Sequence, residues 1–389
     1  MTKIQYAVAA ALALGASAAQ AGITIPAGDW TIDIGGNVNA FYVNHDGKQD
    51  AGFAGINTAT PAATDNQNIR TGLLPSAIGI GGKTRQNDLD IAFQFTFFVG
   101  ADGNDNGATD STAGGNNSLN VRQAYGSFGD KSWGTIKFGR DLGIFGSDAI
   151  LSDMTLLGVG GGSGGVGGSS SLGRIGTGYL YADWVGQISY ASPNWNGFSF
   201  NVGIRDPWAG DNAGTHENDT LGYEGKVSYE WAGDFAGKVW AGYISQNIDS
   251  TTVGRSYDAR AWELGGKVGF SGFELVGNYQ DGKGQGDALF GVNGRSTTVA
   301  GDENDATSWY LQGTYKLPTI GTKLGVSYGE SQVETAAGDH ENKSWIIGAY
   351  HPLTKSLNLV AEYQDQEAED AAGRQAEANV ISLGAIMFF

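Results

Sequence analysis

The sequence predicts an all-β fold: a 16-stranded antiparallel transmembrane β-barrel with an inward-folded third external loop. Three observations predict it. Segments of about ten residues alternate apolar and polar side chains with period 2. The connections between them alternate between long and short. No later stretch reaches the ~18–20 continuous apolar residues of a membrane helix. In lipid every backbone N–H and C=O must be paired, so spanning strands have to close into a ring. A ring of about sixteen strands is too wide for side chains to fill and leaves an aqueous channel.

Each element follows in order. The N-terminus pairs Lys3 with an apolar Tyr6–Ala16 run and a small-residue Ala19-Gln20-Ala21 site. This is a signal-peptide pattern, so residues 1–21 are expected to be removed and residues 22–389 to form the barrel. The first strand, Trp30–Asn44, puts Trp30, Ile32, Ile34, Val38 and Tyr42 on one face and Asp33, Asn37 and Asn39 on the other. A long polar loop, 45–72, leads to Leu73–Arg85, whose apolar face carries Leu74, Ile78 and Ile80. In Asp88–Gly100, Leu89, Ile91, Phe93, Phe95 and Phe97 alternate with polar residues. Strands over 119–129 and 134–140 follow, then a long connection over 141–180. The same rhythm places strands at 181–192, 197–205, 221–231, 238–246, 258–270, 273–280, 307–316, 323–330, 343–351, 357–364 and 379–389. Tryptophans and tyrosines near strand ends suit interfacial girdles. A soluble β-sandwich needs fewer strands and no alternation of loop length.

Composition narrows the function. The chain has 389 residues, 64 glycines, no cysteine and a net charge of −18. The acidic balance excludes a general nucleic-acid binder, which needs a basic footprint. Without cysteine there is neither a disulfide nor a thiol nucleophile. The four histidines, His45, His216, His340 and His351, fall in separate connections, with no spacing that argues for a Ser–His pair. No enzyme and no cofactor are expected. Gly160–Gly165 satisfies G-x-G-x-x-G but lacks a strand–helix context, so it reads as loop composition. Asp102, Asn104, Asn106 and Asp110 match part of a Ca²⁺ loop. Ala113 stands where the bidentate Glu belongs, so they remain only a weak external Ca²⁺ candidate.

Several runs together carry a family resemblance: Arg122-Gln123-Ala124-Tyr125, Gly134-Thr135-Ile136-Lys137-Phe138-Gly139-Arg140, Ser192-Pro193-Asn194-Trp195-Asn196-Gly197-Phe198, Gly348-Ala349-Tyr350-His351-Pro352 and the terminal Phe389. In their order and spacing the chain resembles the Gram-negative general porins, and most closely the trimeric β-proteobacterial type. The resemblance implies an outer-membrane homotrimer that passes small hydrophilic solutes and ions by passive diffusion, in contact with outer-membrane lipid. It also implies that Phe389 is the assembly signal. Arg122 and Arg140 match the family's lumenal arginines, and Asp141, Asp148 and Asp153 fall on its inward loop. The family's Arg and Lys on the second strand are missing from Ser76–Gly82. Lys83 and Arg85 share that face nearer the periplasmic end.

Strand parity adds lumenal charges independently: Lys137, Lys226 and Lys238 among the bases, Glu224, Glu263 and Glu362 among the acids. Parity alone would turn Arg140 outward with Ile136 and Phe138, unless the backbone breaks register there. Opposed charges across a narrow passage would set ion preference. The expected constriction is therefore Arg122, Lys137, Arg140, Asp141, Asp148 and Asp153, with Lys83 and Arg85. The glycine run Gly158–Gly168 would govern how rigidly the loop is held. The alternatives are a substrate-selective channel, or a surface adhesin or structural barrel using its acidic loops.

Overall fold

A computed structural model describes residues 22–54, 61, 63, 65–101, 119–161, 170–207, 216–217, 220–250, 255–286 and 303–389. Sixteen long strands form the wall: β1 Trp30–Gln49, β2 Ser76–Gln86, β3 Leu89–Val99, β4 Asn120–Asp130, β5 Gly134–Leu142, β6 Trp184–Ala191, β7 Phe198–Arg205, β8 Gly222–Trp231, β9 Ala236–Ser250, β10 Arg255–Phe270, β11 Phe273–Lys283, β12 Asp305–Lys316, β13 Lys323–Thr335, β14 Gly338–Pro352, β15 Leu357–Glu369 and β16 Gln375–Phe388. Each pairs antiparallel with its sequence neighbour, and β16 returns to pair with β1 from Ala376↔Gln49 to Phe388↔Asn37. Three short pieces add to this ring. Ile23–Ala27 and Asn66–Arg70 pair with β1, and His216–Glu217 pairs with β9.

Closure explains the alternation. With no edge left open, every strand can present one face to hydrocarbon. In β3, Phe95 is 45% exposed while its neighbours Thr96 and Phe98 are 0% and 1% exposed. The outward set is Ile, Leu, Val and Phe through the middle of the wall. A belt of rings crowns it toward the long-loop end: Trp262 on Tyr279 at 5.4 Å, Trp309 on Tyr328 at 5.4 Å and Tyr328 on Trp345 at 4.7 Å. A second belt lies at the short-turn end, with Phe235 stacked on Phe270 at 4.3 Å and Phe273 on Tyr315 at 4.2 Å. These are two interfacial girdles around an apolar band.

Two expectations need correction. Leu74 is buried rather than outward, because β2 starts only at Ser76. The Asn39 side chain holds the approach by donating to the Leu74 carbonyl at 2.8 Å and accepting from the Gly72 N–H at 3.0 Å. The alternation of connection length is also not strict. β13 and β14 run to Thr335 and from Gly338, leaving only a tight turn where a longer loop was expected. Above the upper girdle their outward residues are charged, so the apolar alternation stops while the ladder continues. Lys343 there bridges Glu341 at 3.1 Å and Glu367 at 3.3 Å.

Phe389 lies where the ring closes. Its N–H donates to the Gly36 carbonyl at 3.1 Å, and its own carbonyl accepts from the Gly36 N–H at 3.0 Å. Deleting Phe389 removes both bonds at the β16–β1 seam. The yield of assembled protein in the outer membrane should fall, read as folded species on unheated gels; an unchanged yield would refute this role.

Candidate pore constriction

Between β5 and β6 the chain leaves the wall over residues 143–183. Among its described residues it makes one short helix, α1 Ser147–Ser152, and one 3₁₀ turn, Met154–Leu157. Gly146, with φ 73°, turns the chain into α1. Asp153 ends α1 and caps the 3₁₀ turn, accepting from the Thr155 N–H at 2.9 Å. The other Asp153 oxygen accepts from the Tyr179 hydroxyl at 2.7 Å and the Arg174 N–H at 3.2 Å. Asp153 is thus an internal tie of the segment, 3% exposed.

The segment is fastened to wall side chains of inward parity. Three wall carboxylates accept its backbone N–H groups. Glu224 on β8 takes Phe145 at 3.0 Å, and Glu263 on β10 takes Gly146 at 3.0 Å. Glu362 on β15 takes Val159 at 2.8 Å and Gly160 at 2.9 Å. A Cβ on Gly158 would lie 2.0 Å from that last carboxylate, so the close approach needs glycine there. Neutral groups fill in between. Gln312 accepts from the Met154 N–H at 2.7 Å, Gln280 accepts from the Leu180 N–H at 2.7 Å, and the Tyr310 hydroxyl donates to the Ala149 carbonyl at 2.9 Å. Arg174, fully buried, donates to the Ser327 hydroxyl at 2.6 Å and the Ser344 hydroxyl at 3.2 Å.

Asp148 on α1 is gripped by two cations, Lys226 at 2.7 Å and Lys238 at 2.6 Å. Burial pushes its carboxyl up, but the two ammonium groups outweigh burial and hold it at about 2. The folded value lies below the ordinary 3.8, so the stabilisation is complete above that pH and is lost as pH falls through about 2.

The expected site residues therefore divide. Asp141, 4% exposed, is paired with Lys137 and accepts from Gln123 at 2.8 Å. Asp148 and Asp153 are buried in the bonds just described. Each of the three acids is thus engaged: Asp141 within the wall, Asp153 within the segment, and Asp148 between segment and wall. Arg140 is exposed, and β5 pairs with β4 and β6 without a shift. Its charge acts on Tyr181 and Asp183 at the end of the segment, as that of Arg122 does. Gly139, at φ 119°, turns the strand without breaking its register.

Lys83 and Arg85 lie away from the segment at the short-turn end. Lys83 pairs with Asp33 at 3.1 Å, and Arg85 with Asp90 at 2.8 Å and Asp130 at 3.0 Å. Arg122 is the extra residue of a bulge: Thr96 pairs with Gln123, while Phe97 pairs with Val121. Its guanidinium sits 5.0 Å over the Phe98 ring.

Asp102, Asn104, Asn106 and Asp110 fall outside the described residues, as do residues 1–21 and 162–169. The described flanks of the glycine run are joined, Gly161 N–H to the Gly173 carbonyl at 2.7 Å and Gly173 N–H to the Val159 carbonyl at 3.2 Å. Sequence reading did not single out Arg174, Tyr310, Gln280 or Gln312. For the last three the signal was present, since they alternate with outward Tyr279, Trp309 and Leu311. Arg174, in an irregular stretch, had no parity to reveal it.

A closed barrel with rings at both rims and a long segment tied across its inward side chains is a channel architecture. The family model for Gram-negative porins matches residues 7–371. The chain belongs to the Gram-negative porin family. It is an outer-membrane porin, a barrel that forms a passive diffusion channel. Solved structures share the fold. The outer membrane channel DcaP of Acinetobacter baumannii aligns with TM-score 0.71 at 16% identity, covering 95% of this chain and 100% of that one. OmpF of Salmonella typhi, in complex with daunomycin, aligns with TM-score 0.60 at 16% identity, covering 93% and 100%. The trimer form of Vibrio cholerae OmpT aligns with TM-score 0.57 at 17% identity, covering 92% and 99%. A comparison with curated proteins finds no match.

Two predictions follow from the porin's Asp148 clamp. Asp148→Ala removes the shared carboxylate of two largely buried lysines and leaves Lys238 with Glu230 at 3.4 Å alone, a loss below the ~3–5 kcal/mol of a fully uncompensated buried charge. The segment should loosen, read as faster proteolysis within 143–183 and noisier single-channel current. Between pH 7 and pH 4 the wild-type current should be steady. The clamp's contribution, about 2 kcal/mol for a carboxyl held near 2, should vanish only below about pH 3. A transition centred near pH 5 would show that Asp148 is not the controlling group.

Proposed function

We propose that segment 143–183 is the third external loop folded inward, and that it sets the narrowest passage for small hydrophilic solutes and ions. The observation that carries this reading is the one-sided fastening. The segment's side-chain bonds run to β8–β15 and to Arg70, which donates to the Ser170 carbonyl at 2.9 Å beside the backbone bonds to Gly72 and Leu73, whereas among the described residues no hydrogen bond joins residues 144–181 to β3 or β4. A passage then runs between the segment and the β3–β5 wall, past Arg122, Tyr125 and Lys137. Because Asp141, Asp148 and Asp153 are committed to internal bonds, the passage favours anions over cations despite the chain's net charge of −18.

Assembly as a homotrimer of the β-proteobacterial type is part of the same proposal. The runs around Arg122 and Ser192 and the terminal Phe389 support it, as does the trimer form of the OmpT structural relative. Residues 1–21 are the proposed signal peptide, and the proposed activity is transport without catalysis. In planar bilayers the purified protein should insert in conductance steps. Reversal potentials in a potassium chloride gradient should take the sign of anion preference. An absence of steps would sink the pore, whereas steps with cation preference would overturn only the charge reading.

A further inference from the structure

We propose that Lys267 and Lys323 form an anion-holding arc on the short-turn side of the segment, fitted to linear oligophosphates. The inference rests on the pore reading above and adds a solute class to it.

Register fixes where the arc lies. Lys267 stands three residues before the end of β10, and Lys323 opens β13. The wall residues that hold the segment sit farther from the short turns: Glu263 on β10, Gln280 on β11, Gln312 on β12 and Ser327 on β13. Both lysines alternate with exposed, outward neighbours, Val268 and Leu324, so both face the lumen below the segment.

The half-buried lysines of the inner wall divide into two kinds. Lys137 pairs with Asp141. Lys226 and Lys238 hold Asp148, and Glu230 also lies 3.4 Å from Lys238. Lys267 and Lys323 are half-buried too, yet their side chains make no ion pair or hydrogen bond with any described residue. Lys323 meets only the face of the Tyr350 ring, 4.8 Å away. Three carboxylates act on it from a distance: Glu274, Asp153 and Glu362. Asp153 and Glu362 are committed to the segment, and Glu362 also takes the Tyr350 hydroxyl at 2.7 Å. Glu274 on β11 is exposed. It pairs in register with Gly269 of β10 and Thr314 of β12, so it stands between the two lysines, bonded to neither.

Like charges add to the excess. Lys238 is directly across from Lys267, and Lys316 is directly across from Lys323. Opposed like charges on neighbouring strands are destabilising, and a partly buried ammonium without an anion is costly. An anion bound between them removes both costs. Its shape follows from the strands. β10 and β13 are three strands apart, ~14 Å along the wall at the usual spacing. A compact anion meets one ammonium at a time, whereas a chain of phosphates carries charge along its length. Each ammonium is a point charge with rotatable donors, which suits phosphate oxygens better than the planar fork that carboxylates prefer.

The test uses the full-length porin in planar bilayers, with potassium chloride current titrated by sodium tripolyphosphate, orthophosphate or citrate. Tripolyphosphate should block the current, and citrate, a compact trianion, should need about a tenfold higher concentration. Lys267→Gln and Lys323→Gln should each raise the tripolyphosphate concentration for half block about tenfold, the scale of one charge-assisted hydrogen bond. Glu274→Gln removes the repelling carboxylate and should lower it. Lys355→Gln, exposed at the β14–β15 turn outside the arc, should leave it unchanged. Normal conductance steps without tripolyphosphate block would overturn the arc and leave the pore intact. So would a Lys355→Gln effect equal to that of the arc variants, which would mark a general surface field. Equal block by citrate would overturn the oligophosphate class. No conductance at all would instead remove the pore reading on which the arc rests.

Discussion

Everything in this porin depends on one constraint: a backbone surrounded by hydrocarbon must pair all its own polar groups. The β16–β1 seam meets it, running thirteen residues from Ala376 to Phe388 and finishing with the Phe389–Gly36 pair. Once the ring is closed, outward positions need only be apolar, and inward positions can be polar. The period-2 pattern is the trace of that division. Closure also frees the inward face for charge, because side chains there meet water or one another rather than lipid.

The segment between β5 and β6 uses that freedom. Irregular backbone carries unpaired N–H groups, which are costly to bury. Here wall carboxylates supply the acceptors: Glu224, Glu263 and Glu362 receive the N–H groups of Phe145, Gly146, Val159 and Gly160. Asp148 adds the reverse pairing, a loop carboxylate between wall lysines. These charges therefore hold the segment in place before they act on any solute. Among the described residues no such hydrogen bond reaches β3 or β4, the side on which the proposed passage lies.

This division of labour explains why the site was only partly legible. Parity identified Lys226, Lys238, Glu224, Glu263 and Glu362 as inward from alternation alone. It could not say that each would be bonded to the segment, since those partners are separated by up to 203 residues. The resemblance placed Arg140 in the lumen. Its pairing in β5 runs on without a bulge, and its charge acts on Tyr181 and Asp183 at the end of the segment. Arg122, lumenal by the same resemblance, sits at a bulge in β4 that nothing in Val121-Arg122-Gln123 marks. Lys83 and Arg85 stand at the short-turn rim, as their place at the end of β2 requires, and are paired there with Asp33, Asp90 and Asp130.

What the sequence determined by itself was therefore the barrel. Side-chain alternation, turn residues and the lack of a membrane helix are local properties, and closure follows from them by the chemistry of lipid. What only the tertiary structure decided was which charges remain available to a solute. That depends on bulges, on where strands end, and on pairings between residues far apart in the chain. Coulomb attraction acts on distance in space, and alternation along a strand carries only which face a residue occupies.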